Sequence, residues 1–185
     1  MRIPTVARLV SRVSWIVVAL LFASGSSALA QDRLGGHFGF VLPLVTSTES
    51  LENTDNRVER TTITIGDDFV IGFPMGITVK KSDKVAFDLE VVPFIQNEPL
   101  GISLLVHPGI LFPLQHSFTT GVRMAFDVNQ ASWGFTPLLA HGWPLKDGCG
   151  CAFFAEVDVP IRFQQAADGH NFTAVTLAAH FGLGF

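Results

Sequence analysis

From Gly36 to Phe185 the chain alternates between large apolar side chains and small or polar ones, in runs of about 10 to 14 residues separated by turn formers. A period of two marks a β-strand whose two faces meet different surroundings. A helix, with its period of 3.6, would scatter the same residues around its circumference. The pattern predicts eight strands, near 36–45, 68–80, 85–96, 101–113, 118–129, 132–145, 151–164 and 172–185. In the last of these Thr173, Val175, Leu177, Ala179, Phe181, Leu183 and Phe185 share one face, opposite Ala174, Thr176, Ala178, His180, Gly182 and Gly184. In the seventh, Phe153, Ala155, Val157, Val159, Ile161 and Phe163 oppose Phe154, Glu156, Asp158, Pro160, Arg162 and Gln164. The fifth sets Phe118, Val122, Met124, Phe126 and Val128 against Gly121, Arg123, Ala125 and Asp127.

The connections alternate as well. Lys81–Lys84, Gln115–Ser117 and Lys146–Gly150 are tight turns, whereas the connection after the first strand, about 46–67, is long and acidic and reads as a loop. The expected fold is all-β: an eight-stranded antiparallel up-and-down barrel.

Two environments suit such a barrel, a soluble lipocalin-like ligand carrier or a membrane. A water-facing surface normally carries many Lys, Glu and Arg side chains. Here the polar parity is mostly Gly, Ala, Thr and Pro with isolated charges, which suits the crowded interior of an eight-stranded barrel. The opposite parity is nearly continuous Phe, Leu, Val and Ile, which suits hydrocarbon. The pattern therefore predicts a transmembrane β-barrel. Trp133 and Trp143, ten positions apart on the apolar face, would then lie roughly 25 Å apart along the membrane normal and mark the two aromatic girdles. Closure is required, because lipid satisfies no free backbone group. The in-strand prolines (Pro43, Pro74, Pro93, Pro108, Pro113, Pro137, Pro144 and Pro160) oppose it, each removing a ladder donor.

The first thirty residues fall outside this pattern. Arg2, Arg8 and Arg12, the apolar run Val13–Ala23 and the small residues ending at Ala30 predict an export signal cleaved after Ala30. The apolar run is short for a spanning helix. Without the three leader arginines the chain keeps 9 basic and 16 acidic residues, a formal charge of −7, which makes nucleic acid an unsuitable partner. Cys149 and Cys151 flank Gly150 and are too few for a zinc site; they are free or locally bridged turn cysteines.

The leader, the eight alternating segments and the terminal Phe185 resemble the small OmpA/OmpX-type outer-membrane barrel class, over the whole expected mature chain. The resemblance implies short periplasmic turns, longer outer loops, a monomer surrounded by outer-membrane lipid and lipopolysaccharide, and insertion by the barrel-assembly machinery. That machinery would read Leu177, Phe181, Leu183 and Phe185. Tyr, usual in the girdles of this class, is absent and Phe takes its place.

The same parity sends Asp88, Glu90, His107, Arg123, Asp127, Glu156, Asp158, Arg162 and His180 into the lumen. Isolated charges are costly there, so an ionic network that plugs the barrel is expected, with Arg123 bridging carboxylates. Acids outnumber the two arginines, which calls for a proton or a charged histidine. A narrow ion path is the alternative. A lipid-modifying enzyme would need a nucleophile and base near the outer leaflet. His116-Ser117 falls in a periplasmic turn, His141 faces lipid, and Asp168 with His170 sits in the last loop. No catalytic site, cofactor or metal is expected. The 46–67 connection is a solvated loop or a contact for a partner.

Overall fold

The computed structural model describes residues 34–52, 57–97, 100–128, 130–146, 150–165 and 171–185, with no side-chain detail at 51, 52, 57 and 58. The leader and its cleavage point, Cys149, Asp168 and His170 lie outside the described residues. Every regular element among those described is a strand: β1 (Leu34–Glu52), β2 (Arg57–Thr64), β3 (Val70–Gly72), β4 (Met75–Ser82), β5 (Val85–Gln96), β6 (Gly101–Pro113), β7 (Phe118–Asp127), β8 (Ser132–Pro144), β9 (Ala152–Asp158), β10 (Ile161–Gln165) and β11 (Asn171–Gly184).

These eleven pieces make a ring of eight antiparallel wall strands. β2, β3 and β4 lie in succession along β1, and β9 followed by β10 runs between β8 and β11. β1 pairs with β11 from His37↔Gly184 to Ser50↔Phe172 and closes the sheet. The seam is extended past these pairs, where Gly36 N–H donates to the Phe185 carbonyl (2.8 Å) and Phe185 N–H donates to the Gly36 carbonyl (2.9 Å).

The pleat is oriented as its side chains predict. Phe126, Val157 and Leu177 are 45%, 52% and 44% exposed on the outer surface, while Arg123 and Glu156 are buried in the lumen at 3% and 5%. An exterior of Phe, Leu, Val and Ile around a polar interior is the arrangement of a transmembrane barrel and the reverse of a soluble one. The fold is therefore a transmembrane β-barrel.

β5 and β6 have the expected bounds, but two wall strands are broken. Pro74 separates β3 from β4, and Pro160 separates β9 from β10. In both gaps the proline carbonyl still accepts a cross-strand bond, from Gly39 N–H (3.0 Å) and Thr176 N–H (2.9 Å) respectively. Pro43 sits at a register shift in β1, and the β6–β7 ladder skips His107 and Pro108 before resuming at Gly109↔Arg123. The prolines thus interrupt the wall locally without opening it.

The connection expected at 46–67 is not a loop over most of its length. Residues 45–52 pair with 57–64 as a long hairpin, and β1 pairs with β11 as far as Ser50. Arg60 bonds Glu49 across this hairpin through both Nε and Nη2. At the foot of β2, Asp67 accepts the Thr64 hydroxyl (2.7 Å) and the Thr64 N–H (2.9 Å) through one oxygen. Those two bonds hold its carboxyl below the usual aspartate range. β3 meets β5 at Val70↔Gln96, so the hairpin rises beyond the rim where β5 ends, termed here the upper rim.

At the opposite rim, Leu114–Phe118 forms a tight turn with His116 and Ser117 in the left-handed region (φ 59° and 62°). Cys151 there is disulfide-bonded.

Candidate functional site: an ionic network across the lumen

All eight wall strands send a polar side chain to one level of the lumen. His37 comes from β1, Thr78 from β4, Asp88 and Glu90 from β5, His107 from β6 and Arg123 from β7. Thr136 comes from β8, Glu156 and Asp158 from β9, Arg162 from β10, and His180 from β11. Paired residues such as Asp88 and Glu90, or Glu156 and Asp158, face the same way because they stand two apart on a strand.

Arg123 is the hub. Its Nε donates to Asp88 Oδ2 (2.8 Å) and its Nη1 to Glu156 Oε1 (2.6 Å), with Nη2 3.8 Å from Glu90 Oε2. A planar fork that serves three carboxylates on two strands is a task for arginine rather than lysine. Glu90 receives His107 Nδ1 at Oε1 (3.0 Å) and His37 Nε2 at Oε2 (2.9 Å). Thr78 donates its hydroxyl to Asp88 Oδ1 (2.7 Å). His180 Nδ1 bonds Glu156 Oε1 (3.1 Å). Arg162 donates to Thr136 Oγ1 (3.1 Å), to His107 Nε2 (3.0 Å), and more weakly to the Phe135 and Ile161 carbonyls.

Small residues make room for the large ones. Gly76 faces His37 across the β1–β4 ladder, and a Cβ there would overlap the imidazole. Gly109 faces Arg123 across β6–β7, and its Cβ would stand 2.6 Å from the arginine Cγ. An eight-stranded interior has just enough width for side chains, so each bulky network member needs a vacated neighbour.

Of the residues expected in the lumen, Asp88, Glu90, His107, Arg123, Glu156, Asp158, Arg162 and His180 are buried there together. Asp127 is half-buried and stands apart from the hub, on the wall of a cavity of about 320 Å³. This cavity reaches from Gln96 and Ser103 at the upper rim to Glu90, His107, Arg123, Asp158 and His180 at its floor. Trp133 and Trp143 project outward, 51% and 47% exposed. Leu177 and Phe185 are exposed, and Phe181 and Leu183, of the same parity, are half-buried; Phe181 stacks on Phe40 across the seam. His141 lies against Phe118 and Trp143 on the wall, and His116 and Ser117 remain in their turn.

His37 is a network member that the expected set lacks. Its parity was available: His37, Gly39 and Val41 alternate with Phe38, Phe40 and Leu42. Thr78, Thr136 and Phe154 are likewise absent from that set. The Phe154 ring meets both His37 and His180 edge-on, with centroids 6.0 and 4.9 Å apart.

Two buried atoms in the network lack partners, Asp158 Oδ1 and His180 Nε2. Two groups of metal-ligating side chains converge, His37–Asp88–Glu90 and Glu156–Asp158–His180. In each group the two acids stand two apart on one strand and the histidine comes from another strand of the wall, so no metal-ligand spacing in the sequence signals them.

No protein-family model matches this chain, and no curated protein matches it. Among solved structures it is similar to the outer membrane protein OprG from Pseudomonas aeruginosa, with a TM-score of 0.46 and 14% identity over 82% of this chain and 94% of that one. It is also similar to the outer membrane protein AlkL, determined by solid-state NMR in DMPC lipid bilayers. There the TM-score is 0.41 and identity 11%, over 87% of this chain and 94% of that one. At such distances no function passes from either protein to this one.

Proposed function

We propose that this protein is exported and resides in the outer membrane as a monomeric, plugged barrel with a structural or interaction role in the envelope, and that it is not an enzyme. The observation that carries the plug is the hub at Arg123, which ties carboxylates of β5 and β9 across the lumen while histidines of β1, β6 and β11 fill the same level. A buried ionic lattice of this kind is worth most as a fixed structure, since separating any one charge leaves its partners unpaired in low dielectric. An ion crossing the barrel would have to break it.

On this reading residues 1–30 are the export signal, cleaved after Ala30. Trp133 and Trp143 sit at the two lipid interfaces. Outer-membrane lipid and lipopolysaccharide surround the wall, and Leu177, Phe181, Leu183 and Phe185 present the strand that the assembly machinery reads. The β1–β2 hairpin, mostly polar with Val45 and Ile63 exposed among its described side chains, is the part that would meet a partner beyond the upper rim.

Planar-bilayer recording tests the plug. The expected result is a silent wild-type barrel and openings in Arg123→Ala. Steady ohmic conductance in the wild type would overturn it. Lipid A of unchanged mass in cells expressing the protein is the result expected of a non-enzyme.

A further inference from the structure

The four carboxylates at the network level are not equally satisfied. Asp88 has Arg123 on one oxygen and Thr78 on the other, and Glu90 has His107 on one and His37 on the other. Glu156 takes Arg123 and His180 on Oε1. Asp158 differs: it is 5% exposed and its Oδ1 has no partner. His180, 1% exposed, has none for Nε2. Four acids face two guanidiniums here, so the unspent capacity gathers on the β9–β11 side of the lumen.

Glu156 and Asp158 stand two apart on β9 and therefore turn their carboxyl groups to the same side of the wall, with one oxygen of each within 4.8 Å of the other. Two carboxyl groups so placed need a proton or a cation between them. His180 directs Nδ1 at both, 3.1 Å from Glu156 Oε1 and 4.0 Å from Asp158 Oδ2. One nitrogen or oxygen from each of the three residues lies within 4.8 Å of the others. Ligand atoms around a tetrahedral zinc ion are roughly 3.3 Å apart, so contraction by about 1.5 Å or less brings them to bonding distance. The other group, His37–Asp88–Glu90, meets the same spacing but has its oxygens spent on Arg123, Thr78 and His107.

We propose that Glu156, Asp158 and His180 form a binding site for a divalent transition-metal ion of the zinc class. One imidazole nitrogen and two carboxylates are donors that suit zinc, cobalt or nickel. They are too few oxygens for calcium, which takes six to eight. Asp158 and His180 line the cavity that opens at the upper rim, so a hydrated ion reaches them without crossing the network, and water from the cavity completes its coordination. Arg123 stays on Glu156 Oε1 and orients that carboxylate from behind the site. The site stands whether or not the lumen conducts.

The test uses tag-free barrel, refolded in detergent micelles and freed of metal with a chelator. Calorimetric titration with Zn²⁺ is expected to give one saturable site per chain. Co²⁺ is expected to produce visible d–d bands that Zn²⁺ abolishes. Asp158→Asn and His180→Gln should each weaken Zn²⁺ binding about tenfold or more, with heat-modifiable migration and the far-UV spectrum retained, while His141→Gln, on the outer wall, leaves it unchanged. Should His180→Gln not fold, Asp158→Asn decides alone. The proposal fails if wild type shows no saturable Zn²⁺ binding, which would leave a proton in the site. It fails equally if Asp158→Asn binds as tightly as wild type, or if Mg²⁺ or Ca²⁺ displaces Zn²⁺ at equal concentration.

Discussion

Arg162 Nη2 donates to Nε2 of His107 at 3.0 Å, and that bond fixes the protonation pattern of the imidazole. A guanidinium has no acceptor atom, so Nε2 must be the lone-pair nitrogen. The ring proton is therefore on Nδ1, where it is donated to Glu90 Oε1 at 3.0 Å. His107 is a neutral relay between an arginine of β10 and a glutamate of β5. Nitrogen-15 NMR of the refolded barrel at neutral pH should show a single Nδ1–H tautomer for this residue. A spectrum averaged between tautomers would remove the relay, and Arg162→Gln should produce that averaging.

Arg123→Ala should destabilise the barrel by about 3–5 kcal/mol, because Asp88 and Glu156 are left buried without their cation. Arg123→Lys should fall between the two, keeping the charge but losing the fork. Urea unfolding in lipid vesicles measures both. Equal stability of wild type and Arg123→Ala would show that the lattice adds nothing.

Gly109→Ala should cost about 1–3 kcal/mol by forcing a methyl group onto the Arg123 side chain. Gly142→Ala is the control, since the nearest atoms to its Cβ are 4.0 Å away, and it should be tolerated. Likewise Gly76→Ala should be costly alone, and His37→Ala in the same chain should recover part of the loss, which a double-mutant cycle reads directly.

Val157→Arg should destabilise the vesicle-inserted barrel by about 2–4 kcal/mol, the cost of arginine on the lipid face near mid-membrane. Thr62→Arg, on the hairpin above the upper rim, should change stability little. Equal tolerance of the two in vesicle unfolding would contradict hydrocarbon around Val157.

What could be read in advance was environment, and conformation only through it. β5, β6 and β11 alternate because lipid lies on one side and a tight lumen on the other, so their bounds and facing were plain from Phe87, Leu89 and Val91 against Asp88 and Glu90. The stretch Thr46–Glu52 with its partner Arg57–Thr64 is just as much a strand pair, yet its residues are mostly polar, with Leu51, Val58 and Ile63 isolated among them. Nothing apolar alternates there, and so it resembles a loop. The breaks at Pro74 and Pro160 were flagged by residue type, but their position in the ladder depends on partners on other strands, Gly39 and Thr176. The lumen residues followed from parity alone. Which of them touch did not, because shear between strands decides who meets whom at one height.

The seam has a bearing on how the wall comes to exist. Thr46 and Thr176 bond side chain to side chain at 2.9 Å though 130 positions separate them, and the whole β1–β11 ladder is of this long-range kind. Every other neighbour in the ring is reached by a hairpin or a short return. Assembly must therefore zip sequential hairpins first and join the most distant pair last, the slow, high-contact-order step. Until that moment two raw edges stand open. A chain halted there is the species that aggregation or proteolysis would take, and slowing the final join is how a mutation far from the charged hub could abolish the protein in cells.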